Sequence, residues 1–135
     1  MELRFQDRRE AGQLLAHRLE SYVGRDDVII LGLPRGGVPV AYEVARALDA
    51  PLDVFGVRKL GMPGHSELAL GAIASGGIQV FNQSVVRRVG LPNEAIKRVA
   101  LREQEELRRR ERAYRDDRPA PELRGKVVIL IDDGL

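Results

Sequence analysis

The amino-acid sequence predicts an α/β protein built around a parallel sheet. Two apolar runs, Val28–Leu33 and Val127–Ile131, are too short for ordinary helices and are typical of strands buried on both faces. A helical stripe separates the first of them from a further apolar run, Leu52–Val57. Strand, helix and strand within roughly 30 residues form a βαβ unit, which is right-handed in nearly all proteins. The predicted architecture is therefore a Rossmann-like parallel-sheet core.

The composition of the sequence limits the kinds of protein and partner that are compatible with it. The 135 residues suit a single small domain over positions 1–135, with an aliphatic core because 44% of residues are hydrophobic and 4% aromatic. The absence of cysteine excludes disulfides and thiolate metal sites and fits a cytoplasmic protein. No apolar run approaches the roughly 18 residues that span a bilayer, so no membrane partner is expected. The net charge of +2 gives no argument for nucleic acid.

A first helix is expected after Asp7, which precedes Glu10 at the spacing of a capping box. Gly24 is expected to end this helix. Its apolar face is predicted to be Ala11, Leu14, Leu15, Leu19 and Tyr22. His17 lies between these positions, and we expect it to be a surface residue rather than a ligand.

The second helix is predicted from an apolar face of Val40, Ala41, Val44, Ala45 and Leu48. The strand after it, Leu52–Val57, is expected to end in Arg58-Lys59. Residues 60–82 then form a glycine-rich insertion, which we expect to be mobile. Within it, Ile78–Phe81 is expected to pair with Leu70–Ala74 as a hairpin.

A long helix is predicted to begin at Gly90-Leu91-Pro92, with Pro92 in its first turn. Basic residues alternate with glutamates on its polar faces, so a solvated or subunit-contacting surface is favoured over a nucleic-acid site. Its apolar stripe is predicted to be Ile96, Val99, Ala100, Leu107 and Tyr114.

The turn Leu33-Pro34-Arg35-Gly36-Gly37 joins a strand to a helix and is the first candidate site. Glycines there let backbone N–H groups approach an anion, and the helix N-terminus adds roughly half a positive charge. Arg35 supplies a bidentate phosphate donor. The pattern is neither a Walker A loop nor the dinucleotide fingerprint. The alternative is a tight turn with a solvated arginine.

Two further strand ends carry charged pairs. Arg58-Lys59 would neutralise an anionic group beside the turn, unless they are simply a polar strand end facing water. Adjacent strand residues face opposite ways, so only one of the two is expected to point to the site.

Asp132-Asp133 follow the last strand, where ligands bind in open parallel sheets. The alternative for this acid pair is a turn-initiating role.

The run Val127–Leu135 resembles the phosphoribosyl-diphosphate (PRPP) signature of the type I phosphoribosyltransferases, in which an apolar strand leads into two acidic residues and a Thr/Gly-rich phosphate loop. The match runs through Leu135 and stops before that loop. The Leu33–Gly37 turn and the Val57-Arg58-Lys59 strand end resemble a group of bacterial phosphoribosyltransferase-domain proteins. The resemblance implies the phosphoribosyltransferase fold, with residues 60–82 as a hood or flexible insertion of a C-terminally incomplete domain.

The same resemblance implies the roles of the candidate residues. Pro34, Arg35, Gly36 and Gly37 would bind pyrophosphate, with Lys59 as the better candidate for a further contact and Arg58 as its support. Asp132 and Asp133 would hold the ribose hydroxyls, directly or through Mg²⁺, as the catalytic and metal-associated pair. The implied reaction is Mg²⁺-dependent transfer of phosphoribosyl from PRPP to a nucleobase-type nitrogen acceptor, with release of pyrophosphate.

Other functions account for less of the sequence. A non-catalytic regulator that senses PRPP or a nucleotide would keep the acid pair. A dinucleotide module lacks its glycine pattern, and His65-Ser66-Glu67 cannot converge as a hydrolytic triad because the residues are consecutive. With the phosphate loop missing, we expect this chain alone to be weak or inactive. A homodimer is compatible with the resemblance, and the acceptor is left open.

Overall fold

The computed structural model describes residues 6–62 and 64–134. Leu135, the last residue of the signature match, lies outside them, as do the side chains of Ser66 and Glu67. The helices and strands follow in the order α1 (Arg8–Arg18), a 3₁₀ turn (Glu20–Tyr22), β1 (Val28–Gly32), α2 (Gly37–Leu48), β2 (Leu52–Val54), β3 (Val57–Met62), β4 (His65–Ala74), β5 (Ile78–Phe81), α3 (Gln83–Val89), α4 (Asn93–Arg115) and β6 (Val127–Ile131).

The chain divides into two compact units, which are described separately. Of the described residues, the first unit comprises 6–55 and 118–134, and the second comprises 56–62 and 64–117. The first unit holds a three-stranded parallel sheet in the order β2-β1-β6, with Ile30 opposite both Leu52 and Ile129. The predicted α/β class with a parallel sheet is confirmed.

The core of the first unit lies between one face of this sheet and the helices α1 and α2. Val28, Ile30 and Ile131 from the strands meet the apolar face of α2. All five residues predicted for that face are buried, as the helical spacing requires: Val40, Ala41, Val44, Ala45 and Leu48.

Helix α1 begins where predicted, because the Asp7 carboxylate accepts a hydrogen bond from the Glu10 N–H at 2.8 Å. It ends at Arg18 rather than at Gly24, and the chain continues as a 3₁₀ turn. Leu14 was predicted to face the core but is exposed. His17 is exposed, as predicted.

Strand β6 departs from the prediction of burial on both faces. Ile131 is buried, but Val128 and Leu130 on the opposite face are exposed. Both helices of this unit pack on the same side of the sheet. Among the described residues of the unit, no helix therefore covers the side that carries Val128 and Leu130.

The second unit holds an antiparallel sheet in the order β3-β4-β5. The predicted hairpin is confirmed, with Ala74 opposite Ile78 and Gly71 opposite Phe81. The predicted strand Leu52–Val57 is wrong in its extent. Strand β2 ends at Val54 in the parallel sheet, and Val57 begins β3 in the antiparallel one.

Helix α4 packs its apolar stripe on the antiparallel sheet. Ile96, Ala100 and Leu107 are buried, and the last two share a cluster with residues of β3 and β4. Tyr114 was predicted to continue the stripe but is exposed. Pro92 lies at the N-cap rather than inside the first turn. Among the residues the structure describes, no helix combines the length and apolar character needed to cross a membrane.

Candidate functional site

The Leu33–Gly37 turn leaves the carboxyl end of β1 and opens helix α2. The Leu33 N–H donates to the Ile131 carbonyl at 2.9 Å, which extends the β1–β6 pairing by one residue. The Gly37 N–H donates to the Leu33 carbonyl, also at 2.9 Å, and closes the turn. The peptide bond between Pro34 and Arg35 is cis. Gly36 is the N-cap residue of α2, so the turn ends at a helix N-terminus.

The two glycines allow this turn to approach the end of β6. A Cβ atom at Gly37 would lie 2.6 Å from the Ile131 carbonyl oxygen and 3.0 Å from Asp132 Cα. A Cβ atom at Gly36 would overlap the Asp133 carboxylate. The glycine turn and the acid pair, predicted separately from the sequence, are therefore adjacent in the first unit.

Asp132 and Asp133 are exposed at the end of β6. In each of them, one carboxylate oxygen accepts a hydrogen bond. Asp132 Oδ1 accepts a hydrogen bond from the Asp133 N–H at 2.8 Å, and Asp133 Oδ2 accepts one from Arg8 at 3.1 Å. Asp132 Oδ2 and Asp133 Oδ1 receive no hydrogen bond from residues 6–62 and 64–134. The pair thus presents two acceptor oxygens to solvent.

Arg8 is a member of this site that sequence reasoning missed. Its Nη2 atom lies 3.1 Å from Asp133 Oδ2 and would lie 3.0 Å from a Cβ atom at Gly36. Hydrogen bonding by the Arg8 guanidinium, with its positive charge, holds the pKa of Asp133 below its usual value. The capping box fixed Arg8 as the first residue of a helix, but no local pattern indicated that this helix begins beside β6.

A cavity of about 580 Å³ opens next to the acid pair. Its wall is aliphatic on the helix side, and charged groups stand at its rim. It is lined by Asp7, Arg8, Ala11, Leu14, Leu15, Arg18, Val40, Asp132, Asp133 and Gly134. Leu14, exposed against the prediction, forms part of this wall. The volume lies in the range of small-molecule sites.

Arg35, the predicted phosphate donor, is exposed in the turn. Within the part of the chain that the structure describes, its side chain forms no ion pair. This guanidinium is therefore available to an anion at the helix N-terminus.

Arg58 and Lys59 belong to the second unit and lie inside β3, not at the end of β2. Arg58 Nε lies 2.5 Å from Glu103 Oε2, in a pair that is 24% exposed on each side. Lys59 faces the opposite way and is exposed. Of the two cations, Lys59 has the ammonium group that is open to a ligand.

The carboxylates of Asp132 and Asp133 are compatible with Mg²⁺, although they would not by themselves complete its coordination shell. Among the described residues, no group of three or more His, Asp or Glu side chains is arranged to hold a metal ion. The free oxygens of Asp132 and Asp133 are hard ligands of the kind that Mg²⁺ accepts. Mg²⁺ usually takes one or two carboxylates and completes its shell with water and substrate phosphates.

Comparison with known proteins identifies relatives over nearly the whole chain. A family model described as "Phosphoribosyl transferase domain" matches residues 6–135. Two curated proteins of Mycobacterium tuberculosis, from strains CDC 1551 / Oshkosh and ATCC 25618 / H37Rv, are each named "Putative phosphoribosyl transferase". Both are 48% identical over 131 residues, which is 97% of this chain and 29% of theirs.

A solved structure is similar to this chain in both fold and sequence. The crystal structure of TT1426 from Thermus thermophilus superposes with a TM-score of 0.76 at 46% identity, and the match covers 97% of this chain and 62% of that one. The chain thus spans less than two thirds of each of these relatives. Because the family model matches all but the first five residues, the chain belongs to the type I phosphoribosyltransferase family.

Proposed function

We propose that this chain binds PRPP and contributes to Mg²⁺-dependent phosphoribosyl transfer to a nitrogen acceptor of the nucleobase type. The observation that carries the proposal is the adjacency of the glycine turn and the acid pair. A Cβ atom at Gly36 would overlap the Asp133 carboxylate, so an anion-binding turn and two carboxylates adjoin. PRPP carries a pyrophosphate and a ribose diol on neighbouring carbons, and it presents both groups that such a site would recognise.

The turn would bind the pyrophosphate. Backbone N–H groups at the start of α2 and the Arg35 guanidinium offer donors and positive charge to phosphate oxygens. Lys59 is the proposed further cation, with Arg58 held by Glu103 as its support. These contacts would become stronger as negative charge grows on the leaving group, which lowers the barrier.

The acid pair would bind the ribose. Asp132 Oδ2 and Asp133 Oδ1 are two acceptors for the two hydroxyl donors of a cis-diol, and hydrogen bonds to carboxylates are stronger than neutral ones. Their negative charge would also favour the cationic sugar ring that develops as the bond to pyrophosphate breaks. Mg²⁺, when held by the same carboxylates or by the ribose hydroxyls, would supply positive charge to the phosphate oxygens.

In the proposed reaction, the bond between C1 of the ribose and the pyrophosphate oxygen breaks, and its electron pair leaves with pyrophosphate. The acceptor nitrogen then uses its lone pair to form the new bond to C1. The proton that this nitrogen loses passes to a base or to water. The assignment of that base is left open.

Isothermal titration calorimetry with PRPP in the presence of Mg²⁺ tests the binding step. We expect saturable binding that weakens at least tenfold in Asp133→Asn, because one charge-assisted acceptor is lost. Wild-type protein that shows no binding would overturn the proposal. Release of pyrophosphate in the presence of a panel of nucleobases then tests transfer. Release is expected to be slow, because this chain alone is expected to be weak, and turnover at ordinary enzyme rates would contradict that expectation. PRPP binding with no detectable release for any nucleobase would favour a non-catalytic PRPP sensor.

A further inference from the structure

We propose that Arg8 is a positioning residue for ribose recognition, acting by fixing the carboxylate of Asp133. This inference rests on the proposed function and adds a residue to it. Arg8 donates to Asp133 Oδ2 at 3.1 Å, although the two residues are 125 positions apart in sequence. The contact therefore joins the start of the first helix to the end of the last strand.

Three observations place Arg8 beside Asp133 and the glycine turn. The Asp7 cap fixes Arg8 as the first helical residue, because the Asp7 carboxylate accepts from the Glu10 N–H at 2.8 Å. Arg8 then lies at the rim of the cavity beside the acid pair. It also approaches the glycine turn, since its Nη2 would lie 3.0 Å from a Cβ atom at Gly36.

The position of Asp133 is restrained from two sides. Gly36 lies against its carboxylate with no room for a side chain, and Arg8 engages Oδ2. The remaining oxygen, Oδ1, is the one that would meet a ribose hydroxyl. Fixing a ligand-binding group in advance reduces the conformational entropy that it loses when substrate binds.

Stability alone does not explain the pair. The Arg8 and Asp133 side chains are 59% and 35% exposed, and exposed ion pairs contribute little to folding. A purely structural salt bridge at this place would have a small effect on unfolding and none on ligand affinity. A positioning role instead predicts that loss of Arg8 has a larger effect on ligand affinity than on unfolding.

Three variants separate these roles. Arg8→Met removes the donor, Arg8→Lys retains the charge, and Arg9→Met is the matched control on an exposed neighbour. Thermal unfolding is expected to be the same for all three within experimental error. Calorimetry with PRPP and Mg²⁺ is expected to show about tenfold weaker binding for Arg8→Met, partial recovery for Arg8→Lys, and wild-type affinity for Arg9→Met.

A double-mutant cycle with Asp133→Asn makes the test specific. If Arg8 acts through Asp133, Arg8→Met has no further effect on PRPP affinity in the Asp133→Asn background. An equal tenfold loss in both backgrounds would overturn the inference, because Arg8 would then act on the ligand or elsewhere. Wild-type affinity in Arg8→Met would also overturn it.

A ligand-free measurement distinguishes failure of this inference from failure of the proposed function. Crystal structures of Arg8→Met and Arg9→Met should differ in the side-chain conformation of Asp133, with a changed or disordered carboxylate only in Arg8→Met. An unchanged Asp133 in both would refute positioning whatever the ligand. A changed Asp133 together with absent PRPP binding in the wild type would show that Arg8 fixes the Asp133 carboxylate and would reject PRPP as the ligand.

Discussion

Gly36 and Asp133 approach so closely that even one methyl group at position 36 has no space beside the carboxylate. The two residues are far apart in the sequence, and the β1–β6 pairing brings them together. The backbone of the glycine turn and the Asp133 carboxylate thereby form one surface of the first unit.

The substitution Gly36→Ala therefore tests the site directly. The new Cβ must displace Asp133, so we expect at least a tenfold loss of PRPP affinity in calorimetry. Pro39→Ala is the control, because Pro39 is exposed in the first turn of the same helix. Wild-type affinity in Gly36→Ala would contradict the proposed placement of the ribose.

The two cations of β3 should respond differently to substitution. Lys59→Met is expected to weaken PRPP or pyrophosphate binding about tenfold, because an open ammonium group is lost. Arg58→Met should have the smaller effect on affinity but should lower the free energy of unfolding by about 0.5–1 kcal/mol, because its pair with Glu103 is lost. Calorimetry and urea denaturation measure the two effects, with Lys97→Met as the control. A larger loss of affinity in Arg58→Met than in Lys59→Met would reverse the assignment.

The packing of α4 predicts a sharp contrast between two leucines of the same helix. Leu107 is 5% exposed and packs in the cluster with Leu60 and Ile73, whereas Leu101 is 59% exposed. We expect Leu107→Ala to lower the free energy of unfolding by about 2–5 kcal/mol. Leu101→Ala should change it by less than about 0.5 kcal/mol. Urea denaturation followed by circular dichroism provides the measurement, and equal effects would contradict the described helix face.

Glu106 gives a prediction for pH. It accepts hydrogen bonds from Arg109 and from Arg110, which lower its pKa from 4.5 to about 2. Because the pKa in the folded state is depressed, the stabilising contribution of this cluster is present above pH 4.5 and is lost as pH falls towards about 2. Carbon-13 NMR of the Glu106 carboxyl should show its midpoint in this low range.

Removal of both Arg109 and Arg110 should raise the titration midpoint of the Glu106 carboxyl. In the double variant Arg109→Met/Arg110→Met, we expect titration of Glu106 close to 4.5. Arg88→Met, in the separate helix α3, is the control and should leave the Glu106 midpoint unchanged. An unchanged midpoint in the double variant would show that these hydrogen bonds do not persist in solution.

The sequence by itself determined much of the local structure and most residues of the candidate site. Apolar runs indicated β1 and β6, helical spacing indicated the buried face of α2, and Asp7 with Glu10 indicated the start of α1. The glycine turn and the acid pair were also recognisable, because strand ends in parallel sheets carry ligand-binding residues. All of these depend on spacing between residues that are near one another in the chain.

Only the tertiary structure decided which surfaces are covered and which distant residues meet. The run from Leu52 to Met62 divides between two sheets. Val128 and Leu130 are exposed, although their partners on β1, Ile29 and Leu31, are buried. Arg8 and Asp133 come into contact only because the fold brings the start of α1 to the end of β6. Hydrophobic periodicity reports that a side chain prefers burial, but the partner that buries or binds it is selected by packing across the whole fold.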